Sequence, residues 1–137
     1  CSAIGALLPQ LLGDTRDELG GSEWAHAVHG HLGGRPPAVD LAAEQRLADV
    51  LVTGAADGLV AAAHDVSDGG LAQCLAEMAL AGRVGVQVDV TDVADDPFVA
   101  LFSESVARVV VAVAEEYVDR LLALAAAHQT PARRLGV

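Results

Sequence analysis

The stretch Ala61 to Ala81, AAAHDVSDGGLAQCLAEMALA, decides the fold. Small apolar residues from Leu59 to Ala63 run into His64 and Asp65. Ser67, Asp68, Gly69 and Gly70 then come in succession, and Leu71, Leu75, Met78 and Ala79 recur at helical spacing. The pattern is a strand, a polar turn and a helix start. Adjacent glycines admit backbone conformations closed to other residues and let another group approach the main chain. First-turn N–H groups, with the positive end of the helix dipole behind them, suit a phosphate. The same residues also suit a plain helix cap, because Ser67 and Asp68 are ordinary N-cap types that need no ligand. The local pattern leaves both readings open, with His64 and Asp65 as support for the turn.

Upstream, Asp40 caps a helix whose apolar side carries Leu41, Leu47 and Leu51 and whose wet side carries Glu44, Arg46 and Asp49, ending near Gly54. Before it, Ser22 caps a short helix from Glu23 to His31, with Trp24 and Val28 on one face, stopped by Gly33-Gly34-Arg35-Pro36-Pro37. Ile4 to Leu12 reads equally as a strand or a short helix. Downstream, Gly82 ends the central helix. Val84-Gly85-Val86-Gln87-Val88-Asp89-Val90 alternates with period two and predicts a strand with one buried face. A further strand is expected over Ala107 to Val113, a helix over Ala114 to His128 with Val118, Leu121, Leu122 and Ala125 as its core stripe, and a last strand from Arg133 to Val137. Strands separated by helices indicate a layered α/β domain. Strand order is not determined by the pattern.

The chain has 137 residues, which bounds it to one domain with room for a core. Hydrophobic residues make up 53% but aromatics only 3%, so Ala, Val and Leu must build that core. Eight basic residues, all arginine, stand against 19 acidic ones for a net charge of −11. Such a field repels nucleic acid and anionic membranes, so neither is expected as a partner. No apolar run reaches the roughly 18 residues of a membrane span, and a cytoplasmic protein is expected. Cys1 and Cys74 make no disulfide framework, and Cys74 among Leu71, Leu75 and Met78 reads as a small buried hydrophobe.

Other polar groups admit competing readings. His26 and His29 are one helical turn apart with His31 nearby, but no further ligand pair accompanies them, and solvated or capping histidines are the better account than a metal site. Asp92, Asp95 and Asp96 match no calcium loop and read as a solvated turn. Ser103, Glu104 and Ser105 follow an apolar run from Pro97 and precede a strand; they either face the cleft of the central turn or form only a cap and turn.

Several of these segments, in this order, resemble the C-terminal region of the phosphoribosylformylglycinamidine synthase family, the large subunit of formylglycinamide ribonucleotide amidotransferase. They are His64-Asp65-Val66-Ser67-Asp68-Gly69-Gly70-Leu71; Leu101-Phe102-Ser103-Glu104-Ser105 with Arg108; Leu12-Gly13-Asp14-Thr15 with Glu18-Leu19-Gly20-Gly21-Ser22-Glu23; and Gly34-Arg35-Pro36-Pro37-Ala38-Val39-Asp40-Leu41. The resemblance covers nearly the whole chain. It implies an α/β lobe of the aminoimidazole ribonucleotide synthase-like type, a mixed sheet covered by helices, spanning 1–137 as one domain, with 1–22 leading in from an upstream domain of a longer chain.

The family converts formylglycinamide ribonucleotide to its amidine in purine biosynthesis, using ATP, Mg2+ and ammonia from a glutaminase subunit or domain. The resemblance therefore implies those ligands and partners, together with upstream domains of the same enzyme, for the parent protein. The family's general-base histidine and magnesium-binding carboxylates have no counterpart in these residues. No catalytic or metal-ligating residue is expected here, and no ATP or Mg2+ held by this chain alone. The resemblance implies that Ser67, Asp68, Gly69 and Gly70, with Ser103, Glu104 and Ser105, face a phosphate-bearing ligand; since a carboxylate repels phosphate, Asp65 and Asp68 are assigned to holding the turn. Two alternatives stand beside this: a non-catalytic lobe that packs and presents a surface to partners, or a domain of a related enzyme such as selenophosphate synthetase or a thiamine-phosphate enzyme.

Overall fold

The computed structural model describes residues 6–136. The elements are β1 (Leu7–Leu12), α1 (Glu23–His29), α2 (Leu41–Ala56), β2 (Ala62–Asp65), α3 (Gly70–Gly82), α4 (Pro97–Phe102), β3 (Val109–Ala114), a 3-10 turn over Glu115–Tyr117, α5 (Val118–Ala127) and β4 (Ala132–Arg134). Residues 4 and 5 of the Ile4 to Leu12 segment and Val137 of the last expected strand lie outside the described residues. Residues 7–12, part of the stretch expected to lead in from upstream, form an inner strand.

The strands make one sheet in the order β2-β3-β1-β4. Every pairing among the described residues is antiparallel, which corrects the expected mixed sheet within an otherwise correct α/β class. Alternation along β3 sends Val109, Val111 and Val113 to one face and Val110 to the other. Leu8 and Leu12 of β1 join the first face and Leu11 the second. The first face packs on Leu47 and Val50 of α2 and on Val118, Leu121 and Ala125 of α5. The second packs on Leu71, Cys74 and Leu75 of α3 and Ala100 of α4. Helices thus cover both faces, and the core is aliphatic, as the composition requires.

Most helix limits follow their capping chemistry. Asp40 Oδ1 accepts from the Ala42 and Ala43 N–H groups at 2.9 and 3.1 Å, and Ser22 Oγ accepts from Ala25 N–H at 3.2 Å. Leu41, expected on the apolar side of α2, is instead exposed, and Val50 takes the core position. On α1, Val28 faces solvent while Trp24 meets Phe98 of α4 edge-on at 4.7 Å.

Two elements depart from expectation. Val84 to Val90 is not a strand: Val84 and Val86 are exposed, and the segment makes a single bridge, Val88 to Gly136. Period-two patterning needs a ladder partner, and the edge strand β4 is only three residues long. In contrast, the apolar run after Asp96 is the helix α4, started by Asp96 Oδ1 accepting from Phe98 N–H at 2.8 Å with Pro97 at the first helical position.

Inside the sheet, Gln10 is fully buried, its amide N–H reaches Leu8 O only at 3.4 Å, and its Oε1 has no partner among the described residues. A buried orphan acceptor costs free energy that an apolar residue of similar shape does not. Gln10→Met is expected to stabilise the fold by about 1 kcal/mol, read as a higher urea midpoint at unchanged slope; a lower midpoint would contradict this account of the site.

Candidate functional site

The polar turn after β2 opens onto a cleft of about 410 Å3 lined by Asp65, Ser67, Asp68, Glu104 and Arg108, with Glu44 and Leu47 of α2 opposite. Residues near position 67 and near position 104 therefore meet at one site, as the cleft reading of the sequence required of Glu104. Ser67 and Asp68 are exposed, and their side chains make no hydrogen bond among the described residues. The cap of α3 is Gly69, in the left-handed region at φ +80°, and neither Ser67 nor Asp68 caps the helix through its side chain.

The anion at this helix start is the chain's own. Glu104 Oε1 accepts from Gly69 N–H at 2.8 Å and also from Glu23 N–H, the first residue of α1, at 2.7 Å. Gly70 N–H is taken by Ser67 O at 3.0 Å. One carboxylate thus ties together two helix starts, each an N–H donor end with positive dipole character. The two glycine donors expected to cradle a phosphate are occupied from within. Glu104→Ala is expected to lower stability by about 1–2 kcal/mol, since the group is partly solvated, and Glu104→Gln, which keeps the acceptor and loses the charge, by less than half of that. Thermal denaturation, with amide exchange followed at Gly69 and Glu23, checks this; equal losses in both variants would mean that charge alone matters.

Ser103 and Ser105 lie on the far side of Glu104 and are fully buried. Ser105 Oγ accepts from Arg16 N–H at 2.9 Å, Ser103 Oγ accepts from Glu18 N–H at 3.2 Å, and both hydroxyls lie against Arg16 O. Glu104 N–H donates to Glu18 O at 3.1 Å. These contacts strap the 15–18 segment beside 103–105, so the two serines hold Glu104 in place from behind the cleft.

Beneath the strap lies Arg108, 2% exposed. Its Nε donates to Ser105 O at 2.7 Å, Nη1 to Thr15 Oγ1 at 2.9 Å and Nη2 to Ser103 O at 2.7 Å. Burial pulls its pKa down to about 10, against the opposing pull of Glu18, so it stays charged at neutral pH. Glu18, whose burial pushes its pKa up, is nevertheless held below the ordinary value by Ser105, the Ala38 N–H and the Arg16 guanidinium. The sequence reading assigned no role to Arg108 or Glu18. An arginine at the head of a valine run in a chain without lysine is the signal for Arg108; Glu18 carries none, because apart from Arg16 its partners Ala38 and Ser105 reach it only through the fold.

His64 stands beside the turn, with Nδ1 2.7 Å from Asp65 O and Nε2 2.9 Å from Glu77 Oε2 of α3. This joins the end of β2 to α3, the supporting place the sequence suggested. Cys74 packs under it with burial raising its thiol pKa to about 11, which makes it a poor nucleophile. His29 rests edge-on against Trp24 at 4.8 Å, and His26 lies 3.8 Å from Glu23. Among the described residues no three His, Cys, Asp or Glu side chains come together as a cation cage. Among the described residues no helix is long and apolar enough to cross a membrane.

Helices on both faces of a small antiparallel sheet, with a strand-to-helix turn opening on a polar cleft, define a layered α/β lobe whose cleft lies at the end of an edge strand. The chain belongs to the family described as AIR synthase related protein, C-terminal domain, which matches residues 10–137. It is 57% identical over 135 residues to phosphoribosylformylglycinamidine synthase subunit PurL of Thermobifida fusca, covering 98% of this chain and 17% of that relative. The chain therefore spans about a sixth of that relative's length. Its fold is similar to Thermotoga maritima PurL complexed with FGAR, at TM-score 0.84 and 23% identity over 96% of this chain and 23% of that one. It is also similar to the same protein complexed with ATP, at TM-score 0.73 and 21% identity over 98% of this chain and 22% of that one.

Proposed function

We propose that this chain is the C-terminal α/β lobe of a phosphoribosylformylglycinamidine synthase, an ATP-dependent C–N ligase of purine biosynthesis, and that the cleft beside Ser67 and Asp68 forms one wall of its ligand site. The reading is supported by the identity to the Thermobifida fusca subunit and rests physically on one observation: Ser67, Asp68 and Glu104, far apart in sequence, line a single cleft. In that enzyme ATP activates the amide oxygen of formylglycinamide ribonucleotide as an iminophosphate, and ammonia, supplied by a glutaminase subunit or domain, displaces the phosphate. Upstream domains of the same enzyme would supply the catalytic base and the groups that hold ATP and Mg2+. This lobe binds and orients.

The cleft's chemistry narrows what it orients. Its lining carries Asp65, Asp68, Glu104 and Glu44, while the Arg108 guanidinium is spent on Ser103, Ser105 and Thr15. An acceptor-rich wall with its nearest helix donors already taken favours a ligand's hydroxyl and N–H groups over a bare phosphate. Ser67 and Asp68, with Glu44 of α2, are side chains of that wall that make no hydrogen bond among the described residues. Gly69 and Gly70 shape the turn behind them, and Ser103 and Ser105 hold Glu104.

Ser67→Ala and Asp68→Asn in the intact protein test this. Neither side chain supports the fold, so melting temperature is expected to stay within about 1 °C. Loss of one ligand contact and its orienting effect is expected to lower kcat/KM about 10- to 100-fold. Unchanged kcat/KM in both variants would assign the lobe a packing role instead.

A further inference from the structure

A second cavity, about 150 Å3, shares Leu47 and Ala107 with the cleft and is closed by Gly13 after β1, Arg16, Arg46 of α2, and Gln129 and Thr130 before β4. Three separate parts of the chain fix its walls. Gly13 N–H donates to Pro131 O at 2.8 Å, and a Cβ at Gly13, where φ is +96°, would collide with Ala107 O, so the backbone there is as close as it can come. Ala107 and Gln129 are held in the left-handed region at φ +57° and +54°. At Gln129 this is the left-handed residue that closes α5, with Gln129 N–H donating to Ala126 O and Thr130 N–H to Ala125 O; at Ala107 no helix end accounts for it.

Two polar groups of residues lining the cavity have no partner among the described residues. Thr130 is 6% exposed and its Oγ1 has no partner among the described residues, although its backbone N–H is satisfied by Ala125 O at 2.9 Å. Arg46 Nε is likewise buried and unpartnered. Two carboxylates stand at the same cavity: Asp40, whose Oδ1 caps α2, and Asp14, whose Oδ1 lies 3.5 Å from the Arg133 guanidinium without hydrogen-bonding to it. Arg16 adds a second guanidinium, partly used on Glu18 and Ala38 O. An arginine N–H can only donate, so neither a cation nor an apolar group completes this site. The volume is below the roughly 300–1,000 Å3 of sites that enclose whole small molecules.

We infer that this cavity binds one phosphate group, with Arg46 Nε–H and the Thr130 hydroxyl as its donors and Arg16 supplying charge. It is a different place from the Ser67–Asp68 wall and does not depend on what that wall binds. The group is either inorganic phosphate or the phosphoryl end of a larger ligand.

Titration of the intact protein with inorganic phosphate and, separately, with methyl phosphate tests this, followed by calorimetry and by the side-chain N–H resonance of Arg46. Saturable binding of phosphate that shifts the Arg46 resonance is expected. Arg46→Met should weaken it about tenfold or more and Thr130→Val about threefold. Thr130→Val removes only an unpartnered hydroxyl, so it folds even if Arg46→Met does not. Methyl phosphate binding with the same dependence on Arg46 identifies a phosphoryl-end site, and its exclusion an enclosed site for the free ion; both support the inference. An absence of saturable binding, or binding that neither variant changes, an adventitious ion only, overturns it. The readout is binding and not turnover, so its failure is distinct from failure of the proposed function.

Discussion

Replacing Arg108 with leucine is expected to destabilise the protein by roughly 3–5 kcal/mol, the largest single-residue effect the fold predicts outside its aliphatic cores. The guanidinium satisfies two buried carbonyls and the Thr15 hydroxyl. Leucine leaves all three without a partner, and each buried orphan costs about 1–3 kcal/mol before relaxation. The same change releases the 103–105 segment from beneath, so Glu104 loses its position at the two helix starts. For a chain of this size the melting temperature should fall by about 10–15 °C. Arg108→Lys, with one compact head group in place of a three-way fork, should recover less than half of the loss. A drop of only a degree or two for Arg108→Leu would mean that water replaces the guanidinium at little cost, and that the strap does not rely on it.

The second large effect is at Gly70. A Cβ there would lie 2.7 Å from Leu101 O, 2.7 Å from Ser103 O and 2.9 Å from Phe102 C, where the start of α3 abuts the end of α4. These are backbone atoms and cannot swing aside. With φ at +68°, the side chain also carries the left-handed penalty of about 1–2 kcal/mol. Gly70→Ala is therefore expected to cost at least about 3 kcal/mol. Gly58 separates the two contributions, because its φ is +70° and a Cβ there meets nothing within 4 Å. Gly58→Ala should cost only the conformational penalty, about 1–2 kcal/mol. Equal losses at Gly58 and Gly70, by chemical denaturation, would contradict the close approach of α3 and α4. Activity lost at Gly70 would be lost together with the fold, so that glycine cannot distinguish binding from packing; Ser67 and Asp68 can.

Local signals carried most of the helices. Asp40, Ser22 and the apolar stripe of α5 act within one or two turns of where they sit, and the structure bears them out. The Asp96-Pro97 start of α4 is equally local, although the run from Pro97 to Phe102 reads by composition only as an apolar stretch. Strand pairing is not local: the valines from 84 to 90 have the right period and no ladder to join, whereas β1, ambiguous between strand and helix, lies between β3 and β4 because Leu8, Leu11 and Leu12 reach both cores.

The site divides along the same line. The residues alone left the Ser67-Asp68 turn open between a cap and a ligand site and Glu104 open between cleft and cap, and they placed Asp65 only as support for the turn; the structure puts Asp65, Ser67, Asp68 and Glu104 around one cleft. That Glu104 fills the donor end of α3 was not legible, since it depends on two hydrogen bonds spanning 35 and 81 residues. The same holds for Ser103 and Ser105, whose burial follows from a contact with residues 85 or more positions away. A helix start rich in glycine announces a place for an anion. It does not say whether the anion comes from outside or from the chain.

A crystal structure of the intact protein with formylglycinamide ribonucleotide bound would test the central claim most directly. Ligand hydroxyl or amide groups are expected within about 4 Å of the Ser67 or Asp68 side chains, with Glu104 still bonded to the Gly69 and Glu23 N–H groups. Ligand phosphate seated on the Gly69 N–H with Glu104 displaced, or a ligand that leaves the 65–68 cleft filled only by solvent, would contradict it.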